Sequence, residues 1–324
     1  MTATQRDLVV IAIGGNSLIS ARDKKSVADQ YDAICATVAH IADVIESGRR
    51  VVITHGNGPQ VGFILLRSEI ARKNSDLHSV PLVSCVADTQ GAIGWQIQQA
   101  LSNELRARSD AGQVVSLVTQ VRVKADDPGF ADPDKFVGEF YDEKDLPALR
   151  EQNPQWVLKE DPGRGWRRVV PSPAPVEIVE LDAIRALLDG GFHLVTVGGG
   201  GIPVTHQGNH LKGASAVIDK DFVSELLAED LHADYLIILT AVEKVAIHFG
   251  QADEQWLSEM TTDQARQYMA QNEFAPGSML PKVQAAVKFA ESRPGRTALI
   301  TLLQKAKEGI LGKTGTRIYR GARI

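Results

Sequence analysis

Apolar residues fall along the chain in two rhythms. Strand-like runs, most of them continuously apolar, occur at Leu8–Ile13, Arg50–Thr54, Val80–Cys85, Gln113–Val121, His193–Val197, Tyr235–Thr240 and Thr297–Leu302. Runs that do not alternate with polar residues predict strands covered on both faces. Between them, apolar residues recur near helical spacing in Val27–Ser47, Gln60–Lys73, Val86–Arg108, Leu181–Leu188, Val217–Leu231 and Lys282–Glu291. The first of these stops at Gly48, a common helix terminator. Strands alternating with helices predict an α/β fold with a parallel or mostly parallel sheet and helices on both faces.

Lys124–Pro175 breaks this rhythm. It holds Pro128, Pro133, Pro154, Pro162, Pro171, Pro173 and Pro175 and is rich in Asp, Glu, Arg and Trp. A structureless loop of that length is unusual inside a compact domain, so the segment reads as a small inserted subdomain or lid. A second change of composition, HQGNHLKG at 206–213, reads as a hairpin or linker between lobes.

The 324 residues suffice for one large α/β unit or two lobes. Cys35 and Cys85 both lie in apolar surroundings and read as reduced core thiols of a cytoplasmic protein. The net charge is −5 without a long basic block, which argues against duplex nucleic acid as a partner. No run approaches the ~18 apolar residues of a transmembrane helix. The amino terminus lacks the pattern of a signal peptide.

Four strand ends carry unusual loops: GGNS (14–17), THGNGPQVG (54–62), VGGGGIPV (197–204) and LTAVEKV (239–245). Ligands of open α/β sheets bind outside the carboxyl ends of the strands. Glycine lets backbone N–H groups approach an anion, and a following helix N-terminus adds partial positive charge. Familiar phosphate motifs are absent. GILGKTG (309–315) has two residues, not four, between its first Gly and Gly-Lys-Thr, so it is not a P-loop. The eight histidines form no metal-ligand spacing. Three lysines are the candidates for phosphate charge. Lys220 lies between Asp219 and Asp221 in AVIDKDF, Lys282 follows the Gly/Pro loop APGSMLP into a helix, and Lys135 lies in DPDKFVGEFY within the insertion. An aspartate beside Lys220 could hold the lysine or a hydrated magnesium.

In combination these stretches resemble the carbamate kinases of the amino acid kinase superfamily. VVIAIGGNSL, VVITHGNGPQVG, DPDKFVGEFY, GRGWRRVVPSP, VTVGGGGIPV, AVIDKD, ILTAVEKVAI, GSMLPK and GKTGTRI follow in the family's order from residue 9 to residue 318. Other superfamily members share the glycine loops but not this set. The resemblance implies a three-layer α/β/α sandwich with a mostly parallel central sheet. It implies an N-terminal lobe (1–210) for carbamate or carbamoyl phosphate, with a protruding subdomain at about 124–168. It also implies a C-terminal nucleotide lobe (211–324) and a homodimer. The family reaction is ADP + carbamoyl phosphate ⇌ ATP + carbamate, with Mg²⁺. It usually runs toward ATP in arginine or related nitrogen catabolism. A kinase acting on another small carboxylate or carbamate-like acid is the alternative.

The resemblance assigns roles residue by residue. Gly14, Gly15 and Asn16 cradle the transferred phosphoryl group, and Gly56, Asn57 and Gly58 bind the carbamoyl end. Gly199 and Gly200 line the junction. Lys220 and Lys282 neutralise phosphates, Lys135 reaches in from the subdomain, and Asp219 orients these lysines. Thr240, Ala241, Val242 and Lys244, with Met279 and Pro281, hold the nucleotide. No protein metal ligand is assigned. Phe136 and Glu139 stand where the family pattern has prolines, whose fixed φ stiffens a loop, so a more mobile lid is expected. Ser17, Ser215 and His248 are further departures, and none removes a lysine from the proposed site.

Overall fold

The computed structural model describes residues 7–14, 26–161 and 165–321. The chain begins with β1 (Leu8–Ile13), α1 (Val27–Glu46), β2 (Arg50–His55), α2 (Gln60–Asn74), α3 (Leu82–Ala107), β3 (Val114–Ser116) and β4 (Gln120–Val123). The insertion contributes β5 (Lys135–Tyr141), α4 (Leu146–Gln152), β6 (Val157–Asp161) and β7 (Gly165–Val170). Then come β8 (Pro175–Ile178), α5 (Leu181–Asp189), β9 (His193–Val195), β10 (Ile202–Gln207), β11 (His210–Gly213) and α6 (Lys220–Asp230). The remainder is β12 (Tyr235–Thr240), β13 (Val245–Ile247), β14 (Gln255–Leu257), β15 (Glu259–Thr261), α7 (Thr262–Ala270), α8 (Met279–Ser292), β16 (Thr297–Leu302), α9 (Ala306–Ile310) and β17 (Thr316–Tyr319).

The central sheet runs β15-β17-β16-β12-β1-β2-β9-β3. Its strand pairs are parallel except β16–β17. Consecutive residues of β1 enter opposite cores. Val9, Ile11 and Ile13 pack with α1, α3 and α9 on one face. Leu8, Val10 and Ala12 pack with α5, α6 and α8 on the other. All six are at most 3% exposed, which accounts for the unbroken apolar pattern. At the foot of β1, the Leu8 N–H donates to Asp234 Oδ2 at 2.8 Å and the Leu8 carbonyl accepts from the Asp234 N–H at 2.9 Å.

The insertion forms a separate antiparallel sheet, β5-β7-β6. Arg167 ties it together: its guanidinium donates to the Gly138 carbonyl at 3.0 Å and lies over the rings of Phe136 and Phe140. Stacking on Phe136 thus adds a tie at a position where the family pattern has proline. The predicted hairpin at 206–213 is the β10–β11 pair.

Four expectations are corrected. Val80–Cys85 is not a strand: after Pro81 the chain is helical from Leu82. Leu82, Cys85, Val86, Thr89 and Ile93 form one buried stripe. A short apolar run cannot distinguish a strand from the buried start of a helix. Gln113–Val121 is two strands in different sheets, β3 and β4. The break is fixed by the Gln90 amide, which accepts from the Thr119 N–H at 2.8 Å and donates to its carbonyl at 2.9 Å. The helix expected from Val217 starts at Lys220, because the Asp219 carboxylate accepts from the Asp221 N–H and caps it. Cys35 is exposed, one position off the Ile34–Val38–Ile41 core stripe of α1, whereas Cys85 is buried; both are free. Among the described residues no helix is long and apolar enough to cross a membrane.

Candidate active site

Parallel strands deliver their following loops to one edge of the sheet. Gly14 follows β1, Gly56–Gly58 follow β2, Ala241 follows β12, and Leu303 and Gln304 follow β16. These loops line a cleft of about 640 Å³, together with Gly199, Thr240, Pro281, Asp219, Asp221 and the three lysines.

The lysines arrive from separate parts of the chain. Lys135 opens β5, Lys220 opens α6, and Lys282 lies in the first turn of α8. Lys135 Nζ donates to Asp219 Oδ2 at 2.5 Å. Lys282 Nζ donates to Asp221 Oδ2 at 3.1 Å, and Lys220 Nζ to Asp221 Oδ1. Asp219 therefore anchors the insertion's lysine, while Asp221, 3% exposed, joins the two helix lysines. Three ammonium groups against two carboxylates leave one net positive charge for an anion to meet.

The charges respond to this arrangement. Burial works against the Lys135 ammonium, but the Asp219 carboxylate, with Asp221 and Asp134 behind it, holds its pKa above the ordinary lysine value. Burial would raise Asp219, yet Lys135 and then Lys220 bring it down to about 2. Lys220 is pulled below its usual value by burial, despite the opposing Asp221 carboxylate, and the Lys282 charge adds to that pull.

Hydrogen bonds hold the walls in place. The Ser224 hydroxyl donates to the Lys220 carbonyl at 2.6 Å and so accepts from Thr54 Oγ1 at 2.6 Å, joining the end of β2 to the first turn of α6. His55 is 1% exposed, and burial drops its pKa to about 4, so the ring is neutral. Its Nδ1–H donates to the Gly56 carbonyl at 2.9 Å, since a carbonyl can only accept. A Cβ on Gly198 would stand 2.2 Å from His55 Nε2, and one on Gly199, at φ +65°, would stand 2.5 Å from Asn57 Nδ2. Close approach of the two loops therefore requires glycine at both positions.

Of the residues expected in the site, Gly14, Gly56, Asn57, Gly58, Gly199, Lys135, Asp219, Lys220, Thr240, Ala241, Pro281 and Lys282 line the cleft. Gly15 and Asn16 lie outside the described residues. Gly200, Val242, Lys244 and Met279 stand off the lining. The Gly200 Cα packs toward the Ile218 carbonyl, Lys244 donates to Ser258 Oγ at 2.9 Å, and Met279 packs on the α6–α8 side of the core. Asp221, the shared partner of two lysines, is not among the residues expected in the site. Neither are Thr37 and His40 of α1, which face the cleft. Asp221 was visible in DKD as a second carboxylate, but nothing in the order of residues assigns it Lys282, 61 positions away.

The model of the amino acid kinase family matches residues 7–301. The chain belongs to the amino acid kinase family. Within that family it is 53% identical to the carbamate kinase-like protein YqeA of Escherichia coli, over 96% of this chain and 98% of that one. It is 45% identical to the carbamate kinase of Pyrococcus furiosus, over 96% and 98%. The structure of the Giardia lamblia carbamate kinase bound to AMP-PNP superposes with a TM-score of 0.90 at 40% identity, covering 98% of this chain and 99% of that one. The three-layer α/β fold with its mostly parallel sheet is that of this family, and the chain is a phosphotransferase of the carbamate kinase group.

Proposed function

We propose that the cleft transfers a phosphoryl group between adenine nucleotide and carbamate, working toward ATP from ADP and carbamoyl phosphate. One observation carries this reading: Lys135, Lys220 and Lys282 converge on a single glycine-walled cleft, held there by Asp219 and Asp221. Phosphoryl transfer demands positioning and charge neutralisation more than covalent help from the protein. In the ATP-forming direction a β-phosphate oxygen of ADP bonds to the phosphorus of carbamoyl phosphate. The bond to the carbamate oxygen breaks, and carbamate leaves as an anion. No proton has to move, so no general base is needed.

The roles divide along the cleft. Gly56, Asn57 and Gly58, with Lys135, take the carbamoyl phosphate side in the N-terminal lobe. Lys220 and Lys282 face the phosphates in transit. Thr240, Ala241 and Pro281 hold the nucleotide in the C-terminal lobe. Among the described residues no group of three ligating side chains could cage a metal ion, and both cleft carboxylates are engaged by lysines. That donor set suits Mg²⁺ carried in on the nucleotide phosphates as part of the substrate. We further propose a cytoplasmic homodimer acting in arginine or related nitrogen catabolism.

A coupled ATP-formation assay with carbamoyl phosphate, ADP and Mg²⁺, omitting each in turn, tests the reading. ATP production that requires all three is expected. No ATP from carbamoyl phosphate, with turnover of another acyl phosphate, would replace carbamate by a different small acid.

A further inference from the structure

We infer that Gly62 of α2 is a positioning residue that sets how far Lys135 reaches into the cleft; the inference rests on the function proposed above. Gly62 is buried two residues into α2, and β5 lies directly on it. A Cβ at Gly62 would stand 2.8 Å from the Gly138 nitrogen and 2.9 Å from the Gly138 Cα. Both are backbone atoms, so no side-chain rotation could relieve the overlap. Helix and strand meet main chain to main chain, and the absence of one methyl group fixes their separation.

Two things connect that contact to the chemistry. Gly138 is three residues along β5 from Lys135, and between them Val137, 4% exposed, is seated among Val61, Leu65, Val86, Val170 and Val217. The strand is therefore anchored on α2 close behind the lysine. The same helix grows out of the loop at the other wall, where the Val61 N–H donates to the Asn57 carbonyl at 2.8 Å. One turn of α2 thus touches both the Gly56–Gly58 loop and the backbone that carries Lys135. Further along the helix, Glu69 faces Arg168 of β7 at 3.7 Å, a second tie between α2 and the insertion.

A methyl group at Gly62 must push β5 back by several tenths of an ångström, and Lys135 with it. A misplacement of about 1 Å at a reacting group costs up to about 10²-fold in rate, so a shift of several tenths of an ångström costs less. Gly62→Ala is expected to lower kcat/KM for carbamoyl phosphate about tenfold while the KM for ADP stays within about twofold. In a Lys135→Ala background the same substitution is expected to cost less than about twofold, because its target is gone. Amide exchange of residues 135–141 is expected to rise about tenfold in Gly62→Ala. Equal penalties with and without Lys135, or unchanged exchange across 135–141, would overturn the inference. The exchange result is independent of the reaction, so it tests the seat of β5 on α2 even if wild-type protein makes no ATP from carbamoyl phosphate, a result that would sink the functional reading alone. Should Gly62→Ala not fold, Val137→Ala loosens the same seat from the strand side, and the same pattern of rates and exchange is expected of it.

Discussion

At the scale of single residues, the cleft depends on how two carboxylates are shared. Asp221 is bonded by Lys220 and Lys282, the lysines of two different helices, whereas Asp219 is bonded by Lys135. Removing each group should therefore damage a different half of the reaction. Lys282→Ala is expected to lower kcat by about 10² or more with the fold intact, as loss of one preorganised cation does elsewhere. Near-wild-type turnover would refute its placement. Asp221→Asn releases both helix lysines and is expected to lower kcat about tenfold or more. Asp219→Asn is expected to act chiefly on the KM for carbamoyl phosphate. Steady-state kinetics with each substrate varied in turn separates the two patterns. The lysines were legible from their neighbourhoods: charge inside an apolar run for Lys220, and a Gly/Pro loop opening a helix for Lys282. Their partners were not, because a salt bridge across 61 or 84 residues leaves no local trace.

Between elements, α6 and α8 carry the helix lysines side by side and are pinned together farther along. Glu225 of α6 is fully buried, and Lys288 of α8 donates to its Oε2 at 2.6 Å. Burial raises the Glu225 carboxyl from 4.5 to about 7, although Lys288 works in the opposite direction. The folded protein thus holds this proton more tightly than the unfolded chain. The stabilisation is fully present below pH 4.5 and is lost as pH rises through 4.5 to 7. Across that window the melting temperature of the wild type is expected to fall relative to Glu225→Gln, which cannot titrate. Parallel melting curves for the two proteins would contradict it. Strands β1, β12 and β16 were readable to the residue because both of their faces are apolar. The start of α3 was misread because Pro81 opens a helix whose first turn is equally apolar.

For the molecule as a whole, one sheet runs unbroken beneath both ends of the cleft, with β1 pairing β12 on one side and β2 on the other. Ligand binding at either end should then stabilise the entire fold. ADP at a hundred times its Kd is expected to add about 2.7 kcal/mol. Lys135→Ala should retain this thermal shift and lose most of the shift produced by carbamoyl phosphate. Loss of both shifts would place Lys135 at the nucleotide instead. The alternation of strands and helices made this architecture legible, and the proline-rich break at 124–175 marked the insertion. Its sheet order was not legible, because the pairing of β5 with β7 skips a strand.

The clasp between Leu8 and Asp234 has a consequence for sequence change. A strand apolar on both faces gives no polarity signal against sliding by one position, since each core would receive aliphatic side chains either way. Such a slide would carry Gly14 about 3.3 Å along the strand axis and withdraw it from the cleft it lines. The paired bonds of Leu8 with Asp234 act as a stop at the foot of the strand. A carboxylate at the opposite end of the strand thus sets the phase of β1, and through it the position of Gly14.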